Sequence, residues 1–314
     1  MADNDGQWER GLIEKIATAA LKEQTRARRW GIFWKLLTFG YITVVLVLAV
    51  DWRGGADGKS DRHTALVEVN GVIAPGADAS AEKVNLALQS AFKDKNTQGV
   101  VVRINSPGGS PVQAQSIYDE MRRLRQKYPQ TPLYVVVEDL CASGGYYVAA
   151  AADKIYVAKG SIVGSIGVRM DNFGVVGLME KLGVERRLIT AGKNKALLDP
   201  FLPEDPAHRQ IATDLINEIH AQFIAAVKEG RGKRLKETPD MYSGLIWTGA
   251  KSVELGLADG FGGLDYVARE VVKAEDIVDY TQKDNLAEKF ARRLGAGAMG
   301  ALLEFSARSG LVIR

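Results

Sequence analysis

Apolar positions along this chain recur with two different periods, and the two alternate. Ala65 to Ile73 (A-L-V-E-V-N-G-V-I) alternates as a half-buried strand does and stops at Pro75-Gly76. Ala81 to Phe92 has helical spacing, with Ser80 placed to cap it. Gly99 to Ile104 (G-V-V-V-R-I) is the short continuous apolar run of a buried strand. A glycine-rich loop, Asn105 to Ser110, then leads into a helix over Pro111 to Lys127, with proline at the first position, where it is tolerated. The same reading predicts strands over Pro132 to Glu138, Lys154 to Val157, Ile162 to Val168 and Glu185 to Thr190. It predicts helices over Tyr146 to Ala152, Val175 to Leu182, Pro206 to Gly230 and Leu264 to Ala274. Trp247 to Gly263 reads as a turn, a short helix and a second glycine-rich turn. Strands alternating with helices predict α/β layering with largely parallel strands.

The amino end has a different pattern. Glu9 to Arg29 carries Leu12, Ile13, Ile16, Ala17, Ala20 and Leu21 at helical spacing. Leu36 to Val50 then holds no charged residue. Counted from Ile32, with Lys35 able to snorkel, the stretch is about 19 residues and about 28 Å as a helix. Trp30, Trp34 and Trp52 bracket it as interface anchors do. It starts too far along the chain for a cleaved leader, and V-D-W-R is not a small-residue cleavage site. The expectation is a single transmembrane helix, residues 32–50. Lys22, Arg26, Arg28, Arg29 and Lys35 at one end place the amino terminus in the cytoplasm. The remainder then lies on the extracytoplasmic, periplasmic side of an inner membrane. The expected organisation is a cytoplasmic amphipathic segment (1–31), the span (32–50), a polar linker (51–63), a catalytic domain (64–280) and a tail (281–314). The tail has amphipathic pieces around Gly295 to Gly300.

Composition adds bounds. The chain has 314 residues, enough for one large domain or two modest ones. A net charge of +3, with the basic residues concentrated before the span, gives no support to a nucleic-acid partner. A single cysteine, Cys141, rules out an intramolecular disulfide. Its neighbours are apolar, so it reads as a small buried residue rather than a nucleophile. Nothing in the sequence calls for a metal or cofactor.

The candidate chemistry centres on Leu140 to Val168. Ser143 stands between a strand and a helix, beside the free N–H groups of a helix start. Gly144 and Gly145 clear side chains from that junction. Taken alone, Ser143 also fits a helix N-cap. As a nucleophile it needs a base and two oxyanion donors. The Gly144 amide is one donor, and the loop Asn105 to Ser110 offers Gly108 or Gly109 for the other. The three histidines are poorly placed: His63 in the linker, His208 and His220 on the long helix and facing solvent. A neutral lysine serves instead when apolar surroundings disfavour its charge. T-A-G-K-N-K-A-L-L-D-P-F, Thr190 to Phe201, supplies Lys193 and Lys195, and Ala196, Leu197 and Leu198 follow the latter. Ser161 and Ser165, in G-S-I-V-G-S-I-G-V, are placed to orient such a lysine.

N-S-P-G-G, A-S-G-G-Y-Y-V-A-A-A-A-D, G-S-I-G-V and T-A-G-x-x-K, in that order, resemble the signal peptide peptidase A family of serine proteases. Y-S-G-L-I-W-T-G with G-L-A-D-G-F-G-G resembles that family's closing segment. The resemblance spans Leu66 to Val271. It implies a fold of Clp protease and crotonase type, built from repeated ββα units. It implies Ser143 as nucleophile, Lys195 as general base, Ser165 as the residue orienting the lysine, and Gly108 or Gly109 with Gly144 at the oxyanion. It further implies an endopeptidase of hydrophobic peptides, remnant signal peptides among them, working as a homo-oligomeric ring of single-domain subunits. A crotonase-type acyl-CoA-processing enzyme is the alternative, since that fold shares the glycine-rich loops.

Overall fold

The computed structural model describes residues 18, 22–26, 28–44 and 62–282. Met1–Gly58 and Lys59–Arg314 form two separate units. In the first, residues 28–44 are helical and exposed. Among the described residues no helix is long and apolar enough to cross a membrane, and 45–50 of the expected span lie outside them. Most of the amphipathic segment before residue 28, most of the linker and the tail after Gln282 also lie outside the described residues.

The second unit is a mixed α/β fold around a mainly parallel sheet. Its strands are β1 (His63–Asn70), β2 (Thr97–Ser106), β3 (Leu133–Ala142), β4 (Lys154–Val157), β5 (Ile162–Gly164), β6 (Ile246–Thr248), β7 (Gly260–Phe261) and β8 (Ile277–Asp279). They run in the order β6-β5-β3-β2-β1-β8, with β4 on β3 and β7 on β4. Among the described residues only the β5–β6 pair is antiparallel. β1, β2 and β3 read as near-continuous apolar runs because both faces of a parallel sheet are covered. Val100, Val101 and Val102 are all fully buried. One face packs under α1 (Ala81–Lys93), α2 (Pro111–Lys127) and α3 (Gly144–Ala149). The other carries a smaller cluster of Val101, Val136, Tyr156 and Val267.

β3 is the strand that builds the site. Tyr134 to Val137 pair with β4, whereas Leu140 to Ala142 pair with β5. Between these halves the register with β2 slips: Ile104 faces Val137, but Ser106 faces Cys141. Two extra residues on β3 bend the strand there, as bulges do. The bend carries the strand's end out of the main sheet and into α3, all six residues of which are buried.

α3 is held from behind by α5 (Pro206–Arg231). A Cβ on Gly230 would stand 1.9 Å from the Ala150 carbonyl oxygen, so only glycine permits this approach. Tyr146 on α3 donates its hydroxyl to the Leu257 carbonyl at 2.8 Å. Arg231, fully buried, donates to the Gly256 carbonyl at 3.0 Å and to the Asp259 carboxylate at 2.7 Å.

Several expected elements differ. Glu185 to Thr190 forms no strand: it is exposed throughout and pairs with no strand among the described residues. The strand expected over Ile162 to Val168 ends at Gly164, because Ser165 takes a positive φ of 52° that breaks the ladder. His63 is not linker but the first residue of β1, fully buried beside Tyr280. The helix expected over Leu264 to Ala274 is one short turn, α7 (Leu264–Tyr266), running into a π-turn, Val267–Val272.

Burial pushes the Asp259 carboxyl up, but the Arg231 hydrogen bond and charge outweigh it, so the group sits below its ordinary value. A depressed carboxyl stabilises fully above the unfolded value near 3.9 and loses that contribution as pH falls through the folded one. Removing one partner of a buried pair costs about 3–5 kcal/mol. Arg231→Leu is therefore expected to lower unfolding stability by about that amount at neutral pH in denaturant titrations. It should also flatten the acid loss that the wild type shows below about pH 4.

Candidate active site

Ser143 follows the last residue of β3, with φ 51° and ψ −122°. Neither a strand nor a helix contains that conformation, and for a non-glycine residue it costs about 1–3 kcal/mol. Its amide donates to the Gly164 carbonyl at 2.8 Å, and its carbonyl accepts from the Tyr147 amide at 2.9 Å. Its side chain makes no capping bond, so the plain N-cap alternative fails. Ser143 is instead half-buried in the wall of a cleft of about 700 Å³.

The loop after β2 lies against this turn. Gly108 has φ 96°, and a Cβ there would stand 2.6 Å from the Gly144 nitrogen and 2.8 Å from the Ser143 Cβ. Gly109 has φ 151°, and a Cβ there would collide with the Ile73 carbonyl oxygen at 2.1 Å. The two glycines are not equivalent as donors. The Gly108 amide is occupied by the Ser106 hydroxyl at 3.1 Å, and that hydroxyl in turn donates to the Gly71 carbonyl at 2.6 Å. Among the described residues no protein group accepts from the Gly109 or Gly144 amide. The Gly109 nitrogen stands 3.3 Å from where a Gly144 Cβ would be. Two N–H groups without a protein acceptor thus lie in the cleft wall with Ser143, as donors for a developing oxyanion would.

The rest of the cleft mixes polar and apolar surface. Ala114, Tyr147, Ile219 and Phe223 line it, with Tyr147 and Phe223 ring centroids 5.0 Å apart. Val72 forms the rim and is 55% exposed, enough for a substrate to cover it. Arg169 is the one charged residue of the lining. Sequence reasoning missed Ser106, Val72, Tyr147 and the α5 residues. The Ile219–Phe223 spacing of four marked one helical face but not what that face meets.

Ser165 lines the cleft, next to Gly164, whose carbonyl accepts from Ser143. Ser161 does not: its hydroxyl is occupied by the Glu138 carbonyl and the Ala158 amide. Lys193 and Lys195 lie in a turn with exposed side chains, and neither lines the cleft of its own chain. Cys141 is fully buried and burial pushes its thiol far up, so it remains an inert core residue. His220 faces the protein rather than solvent: it is half-buried, with Nε2 3.2 Å from the Ile166 carbonyl oxygen.

Comparison with known proteins identifies the family. The model of peptidase family S49 matches residues 125–278, and that of Clp protease matches residues 67–160. A provisionally named protease of Synechocystis is 33% identical over 204 residues, covering 64% of this chain and 70% of its own length. The chain belongs to peptidase family S49. A provisionally named signal peptide peptidase of Enterococcus faecium is 29% identical over 233 residues, 72% of this chain and 67% of that one. A Brucella melitensis protein named as a Na(+)/H(+) antiporter is 46% identical over 204 residues, 63% of this chain but 28% of its own length. This chain thus spans well under two thirds of that relative's length.

The strain at Ser143 gives a stability signature. Ser143→Ala keeps the Cβ and the strain, whereas glycine tolerates this φ. Ser143→Gly is expected to melt higher than Ser143→Ala, by about 1 kcal/mol in denaturant titration. Equal stabilities would mean that the turn is unstrained.

Proposed function

We propose that this chain is a membrane-anchored serine endopeptidase that cleaves hydrophobic peptides, remnant signal peptides among them. The observation that carries the reading is that Ser143 shares a cleft wall with Gly109 and Gly144, whose amides have no protein acceptor among the described residues. The Ser143 hydroxyl attacks a peptide carbonyl and the two amides receive the oxyanion, each worth about 3 kcal/mol in the transition state. The base that took the hydroxyl proton returns it to the leaving amine as the C–N bond breaks, and water, activated by the same base, then releases the acyl group from the serine.

Lys195 is the proposed base, supplied by a neighbouring subunit and oriented by Ser165. Its segment supports an arrangement across subunits. α4 (Val176–Leu182) has no buried residue. Phe173, Leu178, Leu182, Val184 and Ile189 are all more than half exposed, an apolar surface that monomers rarely leave in water. Docking there takes the lysine out of water, which favours the uncharged amine a base requires. Repeated ββα units and a closed ring are the assembly this reading implies.

Anchoring rests on residues 32–50 as the span, with the catalytic unit outside the cytoplasm. In the described part of that helix, Thr38 and Thr43 donate their hydroxyls to the carbonyls of Trp34 and Phe39, both at 2.8 Å. Polar groups paired this way are compatible with a lipid surround.

Peptide cleavage by the purified full chain tests the site. Ser143→Ala and Lys195→Ala should each lower kcat/KM by about a thousandfold or more. If the dyad forms across subunits, co-assembly of the two inactive variants should restore a fraction of the activity. Wild-type rates in either single variant would overturn the assignment of that residue.

A further inference from the structure

We propose that His220 is a positioning residue that aims the Gly167 amide at the main chain of the bound peptide. The inference rests on the proteolytic reading of the cleft and deepens it. His220 follows Ile219 on α5, and Ile219 and Phe223 line the cleft from that helix. Its Nε2 lies 3.2 Å from the Ile166 carbonyl oxygen. A carbonyl only accepts, so Nε2 carries the proton and donates.

The peptide unit it grips needs holding. Ser165, immediately before Ile166, sits at φ 52°. A left-handed serine persists only where its surroundings over-determine it. Backbone grips on this stretch include the β5 ladder with β3 and β6, the Gly164 carbonyl accepting from Ser143 at 2.8 Å, and the Ser165 amide donating to the Leu245 carbonyl at 2.7 Å. Beyond the ladder, His220 adds a side-chain grip on the next carbonyl, that of Ile166.

The Ile166–Gly167 peptide bond is trans and planar, so its C=O and N–H point in opposite directions. Fixing the Ile166 carbonyl on α5 therefore fixes the Gly167 N–H away from it. Gly167 lines the cleft, and among the described residues its amide has no protein acceptor. A Cβ on Gly167 would stand 3.1 Å from the Gly244 Cα, so the segment is also wedged from its other side. A donor that is free, at the wall of the cleft and fixed in direction suits the carbonyl of an extended peptide.

The test uses His220→Leu, which has no donor; His220→Asn, whose amide stops short of the Nε2 position; and His220→Gln, whose amide reaches it. Each is assayed on an extended apolar peptide and on p-nitrophenyl butyrate, an ester with no main-chain carbonyl beyond the one attacked. The Leu and Asn variants are expected to raise KM for the peptide about tenfold, with kcat changed by about twofold or less. Their kcat/KM should fall at least about fivefold more on the peptide than on the ester. The Gln variant is expected to recover most of the loss. A wild-type KM in His220→Leu, a Gln variant no better than Leu, or equal losses on peptide and ester would each overturn the proposal. Failure of the proteolytic reading shows separately, as wild-type cleavage by Ser143→Ala.

Discussion

The backbone at Ser143 is held in a conformation that L residues avoid, and the geometry of the site follows from it. Left alone, the chain would relax and recover about 1–3 kcal/mol. It is prevented by the Gly164 carbonyl on one side, the Tyr147 amide on the other, and the complete burial of α3 beyond. The turn puts Ser143 in the cleft wall and leaves the Gly144 amide unpaired next to it. It also brings α3 so close to the loop after β2 that Gly108 has no room for a Cβ. Gly108 of N-S-P-G-G is thus a consequence of the turn, whereas Gly109 answers to Ile73.

What enforces the turn is the division of β3. A single strand serves β4 with its first half and β5 with its second, and the two-residue slip against β2 redirects it between them. α5 and the Arg231–Asp259 pair then fix α3 against the far side. Stability and function meet here. The apolar helix that buries the core beneath the site also presents its first amide to the cleft, so the site stands on a rigid element.

Much of this was legible in the sequence. The central strands are continuous apolar runs because both their faces are covered, and that signal is local. The Ser143 junction and its paired glycines are also local, since a tight turn needs particular residues at particular positions. The failures share one cause. Glu185 to Thr190 has strand-like composition but no partner strand among the described residues, and pairing is a property of two segments. Ile162 to Val168 is interrupted by Ser165, which hydropathy cannot flag. Which of Gly108 and Gly109 keeps its amide free depends on where the Ser106 hydroxyl points. His220 looked solvent-facing because only the fold brings Ile166 to it.

The exposed apolar arm around α4 and the exposed Lys195 belong together on this account, since one needs covering and the other needs a dry place to act. Ser143, the Gly109 and Gly144 amides and the cleft that holds them all come from one chain. The most direct measurement is a crystal structure of the full chain with an apolar peptide boronate, which mimics the tetrahedral intermediate. The account predicts boron bonded to the Ser143 Oγ, with one boronate oxygen about 2.7–3.1 Å from both the Gly109 and Gly144 nitrogens. A boronate attached elsewhere, or one whose oxygen is held by other groups while those two amides stay unpaired, would contradict it.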